Sequence, residues 1–243
     1  MPSTSTSDRP CVIVLGAGGR VGSAVVTALL GRGHDVTAVV RDPSRHAFSD
    51  DTRLRVRQGD AQRPDLLSGP LQEASGVVLA VTPFTAPPPT FDGFDRDYYA
   101  AIISGIGRAF AGGRLVCVGL TATTDLDDGS RILDRADLFP PFLAPFADAH
   151  LRATAALRRT ALDWATLIPP AGLGTPSPGG RPTSPGYRLC REPVTLADAS
   201  SALDHPTFAE AVADEIASPV VHQGRALVRC RDAAGLDRLA GGG

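Results

Sequence analysis

Short runs of apolar, β-branched residues alternate along this chain with longer stretches whose apolar positions recur at helical spacing. Residues 12–15 (VIVL) and 36–40 read as strands buried on both faces. Between them, SAVVTALLGRG carries an amphipathic helix that stops at Gly31 and Gly33. Further strands are predicted at 54–57, 76–81, 114–119, 164–168 and 225–229. The helices fall at 65–73, 95–110, 150–160 and 205–217, the last capped by Asp204 with Pro206 in its first turn. Strands alternating with helices predict an α/β fold: a Rossmann-like, doubly wound parallel sheet. The expected organisation is a tail over residues 1–10 and one domain over 11–240, in which residues from about 165 add a small C-terminal substrate lobe.

The junction of the first strand and first helix carries the strongest chemistry. Gly16, Gly18, Gly19 and Gly22 lie between them, with Arg20 and Val21 in the glycine turn. A turn without Cβ atoms lets backbone N–H groups and a helix N-terminus face a pyrophosphate. That context predicts a dinucleotide cofactor.

Composition narrows the partners. The chain has 243 residues, is 43% hydrophobic, and has a formal charge of −2, which gives no reason to expect nucleic acid or an anionic membrane. No apolar run approaches the ~20 residues of a membrane span, and MPSTSTSDRP does not read as a secretion signal. A cytoplasmic protein acting on a small molecule is expected, with oligomeric state left open. The four cysteines lack metal-ligand spacing and read as reduced structural thiols. All 24 basic residues are arginine, so any mechanism that needs a lysine ammonium is excluded. DLDDG (125–129) resembles a calcium loop, but its glycine comes one residue early and no glutamate closes it. His205 and His222 read as surface residues.

VLGAGGRVG, VVRDPSR, QGDA, RLVCVG and ALDWATLIPPAGL together resemble the atypical short-chain dehydrogenase/reductase group, the NAD(P)H-binding and NmrA-like branch that includes flavin and biliverdin-IXβ reductases. The resemblance runs from Cys11 to about Arg229 and implies a nicotinamide cofactor. It places Arg41 where the adenosine ribose is read; arginine there suits the 2′-phosphate of NADP(H), with Arg20 and Arg45 either joining the clamp or standing as solvated surface residues. Asp60, with Ala61 beside it, is similar to the adenine-contacting acid, or else caps the next segment. Thr82 and Pro83 fall near the nicotinamide ribose.

The catalytic half departs from the family pattern. Counting back 14 residues from Trp164 reaches His150, where relatives often carry lysine. Four residues earlier, Phe146 replaces the usual acid tyrosine. Thr123 resembles the active-site serine or threonine, and can equally serve as a loop-satisfying hydroxyl. His150 can donate a proton, bond the nicotinamide ribose, or sit solvated. Phe84, Phe139, Phe142 and Phe146 form an apolar wall for a flat ligand, or ordinary core. The expected activity is NADPH-dependent hydride transfer to a planar conjugated molecule such as a flavin or quinone. A non-catalytic NADP(H) sensor and a biosynthetic isomerase or cyclase are the alternatives.

Overall fold

The computed structural model describes residues 10–84, 86, 88–110, 112–174 and 186–231. The expected tail (but for Pro10), most of the Gly/Pro/Ser-rich stretch after Gly174 and the terminal glycines lie outside the described residues.

The main sheet has eight strands in the order β3-β2-β1-β4-β5-β6-β10-β8. Its members are β1 (Cys11–Leu15), β2 (Asp35–Val40), β3 (Leu54–Gln58), β4 (Gly76–Leu79), β5 (Arg114–Val118), β6 (Asp163–Ile168), β8 (Tyr187–Arg191) and β10 (Gly224–Cys230). All neighbours pair in parallel except β8 with β10. A small parallel pair, β7 (Gly172–Leu173) with β9 (Ala202–Leu203), stands apart. The α-helices among the described residues are α1 (Arg20–Gly31), α2 (Ser68–Glu73), α3 (Tyr98–Ala109), α4 (Ala144–Leu157), α5 (Leu196–Ala199) and α6 (His205–Ala217).

Alternation within the central strands builds two separate cores. Val12 and Val14 of β1 face Val25 and Leu29 of α1 and Phe208 and Val212 of α6. Ile13 and Leu15 turn the other way, to Ile102, Ile103 and Ile106 of α3 and Leu157 of α4. Helices on both faces explain why these strands read as unbroken apolar runs. A third cluster, with Leu126, Ile132, Ile168, Val194 and Leu227, lies under the segments after β5 and β8. At the amino-terminal edge the buried Arg114 ties β5 to α6, reaching Glu215 and the Val221 carbonyl, with Asp163 at 2.5 Å.

Four elements differ from the pattern-based reading. Helix α4 begins at Ala144, six residues earlier than expected, because Pro145 occupies the first turn, where its missing N–H costs nothing. Strand β8 is an edge strand whose YRLCR pattern follows a Gly/Pro-rich stretch and shows no long apolar run. β7 and β9, two residues each, are too short to read from periodicity.

Since β1 to β6 are parallel, the segments after them all emerge at one edge. Chain winding reverses between β1 and β4, and the crevice there is where open sheets of this kind bind ligands.

Candidate functional site

The glycine turn follows β1 at the centre of that edge. Gly16 has φ +85°, and a Cβ there would lie 2.5 Å from the Ala80 carbonyl oxygen. A Cβ on Gly22 would lie 2.2 Å from the Gly16 oxygen, so α1 starts pressed against its own turn. Gly19 caps α1 without any side chain to bond the first turn. The N–H groups of Arg20, Val21 and Gly22 therefore point outward with no carbonyl of their own helix to meet. These residues fit the phosphates of a dinucleotide, since free amides and the positive helix end favour an anion and no Cβ blocks its approach.

The residues expected around the adenosine end are brought to one neighbourhood. Arg41 is exposed just after β2, and its backbone carbonyl accepts a hydrogen bond from Gln58 Nε2 at 3.1 Å. Its guanidinium has no ion-pair partner among the described residues. Asp60, after β3, accepts the Gln62 N–H at 3.0 Å and so makes the turn that its type favours, with buried Ala61 beside it. Tyr98 feels both charges: burial and Asp60 push its phenol pKa up, and Arg41 opposes them. Arg45 is exposed on the 3₁₀ turn that Asp42 caps. His46, next along, lies over the glycine turn; a Cβ on Gly18 would meet its ring at 2.4 Å. At the other side of α1, burial and the charge of Arg20 hold His205 below its ordinary pKa.

Thr82 and Pro83 follow β4 as expected. Beside them Tyr99, 4% exposed, donates its hydroxyl to the Val81 carbonyl at 3.3 Å. Its ring lies 4.2 Å from that of His150, and Phe146 stands 4.9 Å from His150 on the other side. Phe84, Phe91 and Phe94 continue the aromatic group around Phe146, at ring distances of 5.0 to 6.1 Å, and Phe142 reaches it through Phe91. Phe139 does not join this wall; it packs instead on the third core cluster with Ile168 and Leu227.

Thr123 sits on a 3₁₀ turn after β5, held there by two bonds of opposite sense. Its hydroxyl donates to the Leu120 carbonyl at 2.8 Å and accepts from Arg225 Nη2 at 3.1 Å. The same Nη2 donates to the Thr123 carbonyl at 2.6 Å and to Glu192 Oε1 at 2.9 Å. Thr123 and His150 line one small cavity of about 20 Å³, together with Cys117, Gly119, Thr166 and Arg225. Although the His150 ring keeps some contact with solvent, its surroundings and the Arg225 charge push its pKa down to about 3. It is a neutral imidazole at physiological pH, able to hydrogen-bond but holding no spare proton as an acid. Burial likewise keeps Tyr99 protonated far above its ordinary range.

Pattern reading overlooked Arg225, Glu192, Tyr98, Tyr99 and His46. Arg225 was visible only as the start of a strand, where an arginine on an otherwise apolar run was the one available signal. A larger concavity, about 520 Å³ between α3 and α4 with Asp97, Arg108 and Arg152 on its walls, shares no residue with this site. No helix among the described residues is long and apolar enough to cross a membrane.

Known proteins share this architecture. A curated relative, an uncharacterised chloroplast protein of Arabidopsis thaliana, is 28% identical over 173 residues, covering 70% of this chain. The chain matches only 61% of that relative's length. Among solved structures, a Bacteroides thetaiotaomicron protein provisionally named an epimerase superposes with a TM-score of 0.72 at 26% identity, over 91% of this chain and 97% of its own. A Streptococcus pneumoniae protein provisionally named an NADH-flavin reductase gives 0.72 at 24% identity, over 91% and 100%. ChuY, an anaerobillin reductase of Escherichia coli O157:H7, gives 0.63 at 17%, over 91% and 98%. The last two share the fold. Residues 16–203 match the NAD(P)H-binding family, a span that holds the glycine turn, Arg41, Thr123 and His150, and the chain belongs to that family.

Proposed function

We propose that the protein is an NADPH-dependent reductase that delivers hydride to a planar, conjugated small molecule such as a flavin or quinone. The observation that carries this reading is the makeup of the acceptor side. Phe146 falls where the family resemblance expects the acid tyrosine, His150 is neutral, and the Thr123 hydrogen is committed to Leu120. None of the three has a proton ready for an alkoxide. Hydride addition to a conjugated system spreads the new charge and lets solvent supply the proton afterwards, so positioning suffices.

Each part of the site then has a task. The amides of Arg20, Val21 and Gly22 hold the diphosphate, and unpaired Arg41 takes the 2′-phosphate, favouring NADP(H) over NAD(H). When bound, the reduced nicotinamide supplies the hydride. Thr82 and Pro83 border its ribose, while the Phe84–Phe146 pair, with rings 5.0 Å apart, offers the flat acceptor an apolar side. Proteins of this fold bear both epimerase and reductase names, so the fold does not choose between chemistries, and the makeup of the acceptor side is what supports the reductase reading.

Titration with NADPH and NADH, followed by nucleotide fluorescence, tests the cofactor half. Addition of a flavin or a quinone, with NADPH absorbance as the readout, tests the transfer. Binding of NADPH with no oxidation by any acceptor supports the sensor alternative, which the lack of a proton donor also favours. Turnover without net change in NADPH supports the isomerase or cyclase.

A further inference from the structure

The cavity beside Thr123 and His150 is lined by Arg225 and Thr166, each of which holds a buried side-chain polar atom without a partner among the described residues. Arg225 is level with Thr166 across the β10–β6 pairing, so both side chains project to the same side of the sheet. The Arg225 side chain is 12% exposed. Its Nη2 serves Thr123 and Glu192, whereas its Nε–H is buried with no acceptor among the described residues. Thr166 Oγ1 is also buried and unbonded. Buried polar groups left unpaired are uncommon in native proteins, and two that line one cavity ask for a shared reason. The cavity, at about 20 Å³, has room for one oxygen atom and little else.

We propose that this cavity is an oxyanion subsite, in which Arg225 Nε–H and the Thr166 hydroxyl receive the carbonyl oxygen of a conjugated acceptor. The proposal rests on the reductase reading and sharpens it, since the substrate must carry a carbonyl conjugated to the carbon that accepts hydride. In the step, a C–H bond forms between the transferred hydride and that carbon. The displaced π electrons move to the carbonyl oxygen, which becomes an enolate or phenolate. The acceptor is reduced by two electrons, the dihydronicotinamide is oxidised to nicotinamide, and a proton from water neutralises the oxygen later. A guanidinium suits this role because it donates a hydrogen bond and carries positive charge without surrendering its proton. Donors fixed in a desolvated site act at full strength on charge that develops only in the transition state. Glu192, 2.9 Å from Nη2, anchors the guanidinium from behind, and Thr123 fixes it from the side. The chain thereby stabilises the anion that its missing tyrosine would have protonated.

A phenol that changes colour on ionising reads the subsite without any turnover. Para-nitrophenol bound to the protein should ionise at a pH about one unit or more below its free value, the effect of an opposite charge at contact distance. In Arg225→Met the bound phenol should ionise at its free value, with affinity for the phenolate at least about tenfold lower, the loss expected of a charge-assisted bond. Thr166→Val, which removes only the hydroxyl, should shift the ionisation part of the way. NADPH fluorescence titration of each variant should be unchanged, which separates loss of the subsite from loss of the fold. Should Arg225→Met not fold, Thr166→Val carries the test. Equal phenolate ionisation in wild type and the folded variants overturns the proposal. Arg225-dependent phenolate binding in a protein that never oxidises NADPH leaves the subsite standing and removes the reductase reading. Quinone reduction that is indifferent to both substitutions removes the subsite and leaves the reductase.

Discussion

Phe146 stands edge-on to His150, their ring centroids 4.9 Å apart and their planes at 87°. One turn of α4 separates the two residues, so the helix itself sets the pair on one face. The phenyl ring of Phe146 thus flanks the imidazole without a hydroxyl, while the nearer ring, Tyr99 at 4.2 Å, donates its hydroxyl to the Val81 carbonyl. Restoring one is the simplest probe of the difference. Phe146→Tyr should leave NADPH affinity unchanged and raise reduction of a simple aldehyde at least about tenfold, the lower range of general-acid assistance. The rate of NADPH loss with an aldehyde and with a quinone, compared in both proteins, checks it.

Arg41 lies exposed just after β2 with no ion-pair partner among the described residues, and its charge is available to a phosphate. Arg41→Ala should weaken NADPH binding about 10- to 100-fold, as removal of a charge-assisted bond of about 1.5–3 kcal/mol implies. NADH binding should not change. Fluorescence titrations with the two nucleotides give the comparison directly.

The contact between Gly22 and the Gly16 oxygen leaves no space for a methyl group. Gly22→Ala should lower stability by about 1–3 kcal/mol through overpacking and cost nucleotide affinity, because the turn must move. The urea midpoint and NADPH titration of the variant measure both losses. Gly31, with nothing within 4 Å of the added Cβ, is the internal control: Gly31→Ala should leave both values near those of wild type.

His150 couples stability to acid. Its pKa is about 3 in the folded protein, against about 6.5 for an unperturbed histidine. Below about pH 6.5 the unfolded chain takes up a proton there that the folded chain refuses. Its contribution is therefore intact above pH 6.5 and declines as pH falls towards 3, by up to about 1.4 kcal/mol per pH unit. His150→Gln should flatten that limb between pH 6 and pH 4, seen as a smaller drop in urea midpoint than in wild type. An identical drop would place the acid sensitivity elsewhere.

Local pattern carried the nucleotide half of the site. The strand, glycine turn and helix from Cys11 to Gly31 occupy consecutive residues, and each is set by its own spacing, so the chain spells them out in order. The count from Trp164 back to His150 and Phe146 likewise stays local, since α4 and β6 are joined by a short connection. The other half depends on contacts that sequence spacing does not carry. Arg225 reaches Thr123 across 102 positions and Glu192 across 33, and neither approach leaves a trace in local periodicity. Phe139 and Phe142 are three residues apart, yet Phe142 sits within the 3₁₀ turn Pro141–Leu143 and the two enter different clusters. His46 over Gly18 is likewise a matter of how the segment after β2 folds back.

The central claim is that bound NADPH gives its hydride directly to a conjugated acceptor. Single-turnover mixing of the NADPH-loaded protein with a quinone under anaerobic conditions tests it most directly, with NADPH carrying either hydrogen or deuterium at the transferred position. Loss of NADPH absorbance in one phase, slower with deuterium, is the expected result. A nucleotide that stays bound and unoxidised with flavin and quinone alike would contradict the claim.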